Sequence, residues 1–366
     1  MRSAAHLQVR RSDEIEAQRS RWTFYETINH SLLKEDIAMV LRKKSTYMLA
    51  LLLAISCILL FSLSAGAQTK GVRLSIATGG TGGVYYPLGG GMASVISKYI
   101  PNTEATAEVT AGSVDNCKLL ETGKAELALI MADIGYDALK GLGRFKAGAI
   151  PLRTIAVVYP NYMHFVTLDG SRINSVPDMK GRRISTGSPG SGTEVKTMRV
   201  LESYGVDGEK DIKQERLGVA ESAGALKDRK VEAFSWDGGL PTAAVLDLAA
   251  TPGIKIRILN NGDHLDKLLQ KYGPVYFNLS IPKTTYPGMN ADAQVVCVAN
   301  LLICHEKMDA GLVYNILKVL IEHQPELVAV HKEARNLTLA TAAVGSSLPY
   351  HPGAIKYFQE KGIKIK

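Results

Sequence analysis

Cysteine is scarce in this chain of 366 residues: four, at positions 57, 117, 297 and 304. Cys57 lies in an apolar run, which leaves Cys117, Cys297 and Cys304, an odd number, for the rest of the chain. Cys297 and Cys304 are seven apart. On one strand they face opposite sides, and on one helix they stand roughly 10 Å apart, too far to bridge. No disulfide framework is expected, the three read as small buried hydrophobes, and the core has to be hydrophobic. Tryptophan is scarcer still, at Trp22 and Trp236 alone. The histidines at 164, 264, 305, 323, 331 and 351 form no His-x-x-x-His pair, so no metal site is expected. Neither glycine loop ends in Gly-Lys-Ser/Thr, and Tyr85 stands where a dinucleotide fingerprint needs its third glycine. Gly190-Ser191-Gly192 is too short for a nucleophile elbow. No base is placed beside Cys117. The sequence therefore shows no catalytic constellation and no cofactor motif. Basic residues exceed acidic ones, but they are interspersed, with no basic stripe and interleaved aromatics, which argues against a nucleic-acid partner.

What is present begins with an export pattern. Arg42-Lys43-Lys44 precedes the apolar run from Tyr47 to Leu63, and Ala65-Gly66-Ala67 follows. This is the order of a secretory signal peptide, with a cut expected after Ala67 and a periplasmic destination. A start at Met39 gives the signal normal length and makes residues 1–38 an upstream extension. A retained membrane anchor is the alternative, since the run is near the lower limit for spanning a bilayer. Cys57 has Ser56 before it, which does not suit lipoprotein cleavage. The formal charge of +8 falls to +5 once the nine basic and six acidic residues of 1–67 are set aside. A mild positive excess fits an anionic solute without requiring one.

From Gly71 onward, strand and helix patterns alternate. The strand 73–77 runs through Thr78-Gly79-Gly80-Thr81-Gly82-Gly83-Val84-Tyr85-Tyr86 into a helix expected from Pro87, with Leu88, Met92, Val95, Ile96 and Tyr99 on one face. Short elements are expected at 106–109, 114–122 and 126–131. Strands 154–159 and 165–168 bracket Pro160, read as a crossing point. The theme then repeats with strand 182–185, Thr186-Gly187-Ser188-Pro189-Gly190-Ser191-Gly192-Thr193, helix 193–204, strand 231–236, a glycine turn and a helix from Pro241. A strand at 254–259 follows, strand 294–304 returns, and helices are expected at 310–323, at 325–333 and in the tail from His351. The fold class is α/β with two lobes, mainly parallel sheets and a ligand cleft between the lobes. Residues 68–160 and 300–366 form lobe one, and 161–299 form lobe two.

Ligands of open α/β sheets sit beyond the carboxyl ends of the strands. Both glycine loops, Asp133 and Trp236-Asp237-Gly238-Gly239 fall at such ends. A strand that enters a helix through clustered glycines exposes backbone N–H groups at the positive end of the helix dipole, a site suited to an anion. Tyr85-Tyr86 adds a phenol beside those donors, with core packing expected for one of the two. Ser113 or Thr110 reads as a helix cap. Asp133 could bind an ammonium group, cap a helix or pair with a lysine, and Trp236 either lines the cleft or packs in the core.

The loop 78–89 resembles the opening signature of TAXI-type solute-binding proteins, the extracytoplasmic receptors of tripartite ATP-independent periplasmic (TRAP) transporters. The likeness continues through Thr110-Ala111-Gly112-Ser113-Val114-Asp115-Asn116, Gly187 to Thr193, Gly238-Gly239-Leu240-Pro241-Thr242, Thr285-Tyr286-Pro287-Gly288 and His351-Pro352-Gly353-Ala354, in order along the chain. The resemblance implies a type II-like two-lobe periplasmic-binding-protein fold that closes on its ligand. It implies transport of a small anionic organic solute, a carboxylate such as a glutamate-like amino acid or a dicarboxylate, through a TRAP membrane permease subunit driven by an ion gradient. Carried over residue by residue, it assigns ligand-binding roles to Gly82, Gly83, Val84, Tyr85, Ser113, Asp133, Ser188, Gly190, Ser191, Gly192 and Thr193, with Trp236 and Gly238 added from their place in the cleft. Two departures stand out: Met131 where the pattern has Gln, and Asn161-Tyr162-Met163-His164 where it commonly carries Glu. Both read as a loss of polar groups near the cleft. The rival readings are an enzyme on the same fold and a ligand-sensing domain that does not transport.

Overall fold

Apolar strands joined by glycine turns to amphipathic helices build the structure, a computed structural model. It describes residues 71–365 and, before them, 19, 21–23, 39–44, 48, 49, 51, 53 and 56. The cut after Ala67 and most of the apolar run lie outside the described residues. Residues 1–69 and 70–366 are separate units, and the second carries the sheet with its helices. Among the described residues, no helix is long and apolar enough to cross a membrane.

In chain order, β1 (Val72–Ala77), α1 (Tyr85–Tyr99), β2 (Thr103–Glu108), α2 (Ser113–Glu121), β3 (Leu127–Met131) and α3 (Ala132–Lys140) lead to the long β4 (Leu152–Leu168). Then come β5 (Arg183–Ser185), α4 (Gly192–Ser203), β6 (Lys213–Glu215), α5 (Val219–Lys227), β7 (Ala233–Gly238), α6 (Ala243–Ala249), β8 (Ile256–Ile258), α7 (Leu265–Tyr272), β9 (Tyr276–Ile281) and β10 (Ala293–His305). The chain ends with α8 (Ala310–Glu322), α9 (Gln324–Val330), α10 (Leu339–Ala342) and α11 (Pro352–Glu360). Helix α1 starts two residues before the expected Pro87. A proline is tolerated throughout the first turn, where its missing N–H has no partner to lose.

The strands form one sheet in the order β2-β1-β3-β10-β4-β7-β5-β6, with β8 on β4 and β9 on β10. β1 is parallel to β2 and β3, and β5 is parallel to β6 and β7. Every pairing of β4 and β10 between strands is antiparallel. Two parallel triplets thus flank an antiparallel centre, which corrects the expected mainly parallel sheets. The reason is that β4 and β10 each run through both halves in opposite directions and need no crossover helix. β4 also continues through Pro160, where a break was expected. The pairing with β10 shifts register between Asn300 and Leu301, where β4 carries the extra residue Val158, next to the Ala299–Pro160 pair, and such an irregularity accommodates a residue without an N–H. The expected lobe limits at 160/161 and 299/300 fall within these two shared strands.

In the first half, Leu88, Met92 and Ile96 of α1 pack with Ile316 and Leu320 of α8 and with Tyr357 and Phe358 of α11. The last helix therefore sits on the first half, as expected. It can do so because Gly353 lies against the Ala310 carbonyl, where a Cβ would collide. Cys304 belongs to this core and Cys297 to that of the second half, with Val245 and Ile281. Their odd spacing on β10 does place them on opposite faces. Cys117, Cys297 and Cys304 are all buried and free. Burial pushes the Cys297 and Cys304 thiols up to about 12, which keeps them protonated and unreactive.

Candidate functional site

The ends of β1, β3 and β7 open onto a cavity of about 280 Å³ between the two halves. Four helices begin at its wall. α1 starts after Val84, α2 after Gly112 and α5 after Gly218, and none of these three positions supplies a side-chain cap. α4 starts after Ser191, whose Oγ accepts from Glu194 N at 3.0 Å. The first N–H groups of a helix have no partner inside it, and their dipoles place partial positive charge at that end. Two of these helices belong to each half, so the cavity is ringed by backbone donors. Among the described residues, no Lys, Arg or His lines it.

Gly83, Val84, Tyr85, Ser113, Ser188, Ser191, Gly192, Thr193, Trp236 and Gly238 all line the cavity. Three residues expected with them do not. Gly82 instead packs between the halves: its Cβ position lies 3.1–3.3 Å from Ala220, Ala244 and Val219, and its carbonyl accepts from Ala244 N at 3.3 Å. Gly190, at φ +82°, turns toward Asp115, whose N–H donates to its carbonyl at 3.2 Å. Asp133 is fully buried outside the lining, where its Oδ2 accepts from Tyr276 Oη at 3.0 Å and from Arg199 Nη1 at 3.4 Å. Arg199 is also paired with Asp137. Burial works against the Arg199 charge, but Tyr276, Asp133 and Asp137 outweigh it and hold the guanidinium above its ordinary value. Since α3 carries both carboxylates and α4 carries Arg199, this cluster pins the two halves together.

Neither Ser113 nor Thr110 caps α2. Ser113 Oγ accepts from Met131 N at 3.1 Å, and Thr110 Oγ1 donates within a network to Thr78 O and Asn116. The N-cap is Gly112 at φ +118°, a conformation that favours glycine. Tyr85 donates to Asn300 Oδ1, Asn300 Nδ2 donates to Asn161 Oδ1 at 2.6 Å, and the Tyr85 ring meets Tyr159 edge-on. Tyr86 is exposed rather than packed in the core, because the helix begins at Tyr85 and turns its neighbour outward. Trp236 takes the cleft position, and its Nε1 donates to Thr242 Oγ1 at 2.8 Å.

Sequence reasoning gave no ligand role to Asn161, Tyr159, Asp237 or the start of α5 at Gly218-Val219, all of which line the cavity. Asn161 lines the cavity, so the departure there substitutes one polar group for another. Met131 does make its part of the wall apolar. Tyr159 lines the cavity, and its Oη is buried without a hydrogen-bond partner among the described residues. Asn116 supports the site from behind: its Nδ2 donates to Thr78 O at 2.7 Å and Leu129 O at 2.8 Å, tying the first glycine loop to β3. Asn116→Ala is expected to destabilise the protein by about 1–3 kcal/mol, because buried carbonyls lose their donor. Urea denaturation measures this directly.

Two α/β halves joined by a pair of crossing strands, with a solute-sized cavity between them, constitute the two-lobe fold of periplasmic solute-binding proteins. The chain belongs to the NMT1-like family, which it matches over residues 76–362. Among solved structures it is similar to the alkanesulfonate-binding protein SsuA from Xanthomonas axonopodis pv. citri bound to MOPS, at 18% identity over 80% of this chain and 92% of that one, with a TM-score of 0.46. It is also similar to an ancestral arginine-binding protein bound to arginine, at 14% identity over 72% and 98%, TM-score 0.46. A third is a putative L-cystine ABC transporter from Listeria monocytogenes, at 13% identity over 72% and 95%, TM-score 0.44.

Proposed function

We propose that the protein is an extracytoplasmic receptor, not an enzyme, which captures a small carboxylate in the interlobe cavity and delivers it to a membrane transporter. The observation that carries this reading is the convergence of four helix N-termini, drawn from both halves, on one cavity without a basic side chain. The ligand carboxylate accepts from the N–H groups of Val84 and Tyr85 and from hydroxyls among Ser113, Ser191 and Thr193, while the Gly83 N–H and the Ser188 hydroxyl, which donate to Gly80 O and Ala111 O, set the shape of the two loops. Trp236, Gly238 and Gly192 shape the space around it. Hydrogen bonds to a charged group contribute roughly 1.5–3 kcal/mol each, so a few of them with some apolar burial give micromolar affinity or better. Gly82, Gly190 and Asp133 act by holding the halves together. A ligand that touches both halves favours the closed arrangement, which the membrane partner then recognises.

The six motifs shared with TAXI-type receptors support a TRAP permease subunit as that partner, and the signal pattern supports a periplasmic location. Titration calorimetry with L-glutamate, glutarate and valerate, each against the analogue in which every carboxyl is an amide, tests the binding reading. At least one acid is expected to bind at micromolar concentration and its amide at least about tenfold more weakly. Equal binding of acids and amides contradicts the carboxylate site. Reconstitution with the membrane subunit tests the partner: uptake driven by an ion gradient without ATP is expected, and a requirement for ATP overturns the TRAP assignment.

A further inference from the structure

β7 ends at Gly238 on the cavity wall, and the chain then turns through Gly239-Leu240-Pro241-Thr242 into α6. Leu240 packs on the core of the second half. Thr242 N donates to Tyr286 Oη, of the same core, at 3.0 Å. Two further bonds of this loop cross to the first half. Leu240 N donates to Glu333 Oε1 at 2.6 Å, and Pro241 O accepts from His331 Nε2 at 3.2 Å. A carbonyl only accepts, so Nε2 carries the imidazole proton and Nδ1 is left to accept from Glu333 N at 3.2 Å. Burial lowers the His331 value and keeps the ring in this neutral form. Both residues belong to the 3-10 turn Lys332–Asn336 and its cap, which Ala334 and Leu337 seat in the core of the first half. Glu333 is buried, and its Oε2 accepts from Asn336 Nδ2 at 2.6 Å. Burial works against its charge, and the Leu240 and Asn336 donors oppose that. The approach requires a glycine: a Cβ at Gly239 would lie 2.7 Å from Glu333 Cγ and 2.9 Å from Tyr159 Cε2. The same loop holds the indole. Trp236 Nε1 donates to Thr242 Oγ1 at 2.8 Å, and Thr242 Oγ1 donates to Gly239 O at 2.9 Å.

We propose that Glu333 is a positioning residue of the cavity. From the first half it latches the Gly239–Thr242 loop of the second, and so fixes the Trp236 indole against the first glycine loop. Without the latch, the loop relaxes away from the first half, Thr242 moves with it, and the half-buried indole gains water. The latch acts before any ligand arrives, so it serves whatever solute the cavity takes.

Acrylamide quenching of Trp236 fluorescence tests this without ligand, in the full chain carrying Trp22→Phe, which removes the only other tryptophan. Glu333→Ala is expected to raise the quenching constant about twofold and to shift the emission to the red, as local packing around the loop is lost. Glu333→Gln keeps an acceptor for Leu240 N and sheds a charge that burial disfavours, so it should match the parent. Thr242→Val cuts the bond to the indole directly and should match Glu333→Ala, and the double variant should add little to either, because both act through one path. If a thermal melt shows that Glu333→Ala folds poorly, Gly239→Ala replaces it: its methyl displaces the loop from Glu333 and Tyr159, and the same rise is expected. Whichever of L-glutamate, glutarate and valerate binds the native protein should bind Glu333→Ala about tenfold more weakly and Glu333→Gln as before. Quenching at the parent's level in Glu333→Ala and Gly239→Ala, or a rise that Glu333→Gln shows equally, overturns the proposal. Native protein that binds none of the three acids sinks the receptor reading instead, and the quenching comparison still decides the latch.

Discussion

Gly83→Val is expected to weaken carboxylate binding by at least about a hundredfold, the equivalent of losing two hydrogen bonds to a charged group. A Cβ at Gly83 would lie 2.8 and 2.9 Å from two atoms of the Trp236 ring. That ring cannot simply retreat, because its Nε1 is bonded to Thr242 and Trp236 is flanked on β7 by Gly238, which faces the same indole. The valine side chain therefore fills the space over the N–H groups of Val84 and Tyr85 and props the two halves apart. Calorimetry on the variant, with a thermal melt to confirm that it is folded, measures the effect. Affinity within twofold of the native protein would place the anion elsewhere.

Arg199→Met is the second large effect, expected to cost about 3–5 kcal/mol of stability. The methionine keeps much of the volume but strands Asp133 and Asp137 without their cation in a buried site, and it removes the donor to Tyr276 Oη at 2.8 Å. The guanidinium also lies over the Tyr272 ring at 4.5 Å, so a packing contact is lost with the charge. Adding Asp133→Asn and Asp137→Asn should recover most of the loss, because the stranded charges go with them. Urea denaturation of the single and triple variants makes the comparison. A cost below about 1 kcal/mol, the range of an exposed pair, would mean that the cluster does not hold α3 to α4.

The parts of this architecture legible in the sequence are those dictated by local chemistry. Clustered glycines after an apolar strand announce a helix entry wherever they occur, so the loops around Gly83 and Ser191 can be placed from the residues alone. The odd spacing of Cys297 and Cys304 sets their opposite faces without any knowledge of neighbours. What stays hidden depends on contacts far apart in the chain. Asp133 opens α3 and Asp237 lies near the end of β7, and nothing local marks their partners. The first is taken by Arg199, 66 residues away, and the second by Lys196. Strand alternation turns the Asp237 side chain away from the face of Trp236 and Gly238, and it is fully shielded. Gly218, a single glycine before α5, carries no cluster to mark it. The antiparallel centre is hidden because Pro160 reads locally as a strand terminator, whereas an extra residue in β4 at Val158 shifts the pairing with β10 there and lets β4 continue.

The most direct test of the central claim is native mass spectrometry of the protein purified without denaturation, run beside Gly83→Val. One small organic acid per chain, present on the native protein and absent from the variant, is the predicted result. A native protein that carries no acid and gains none from L-glutamate, glutarate or valerate would contradict the account.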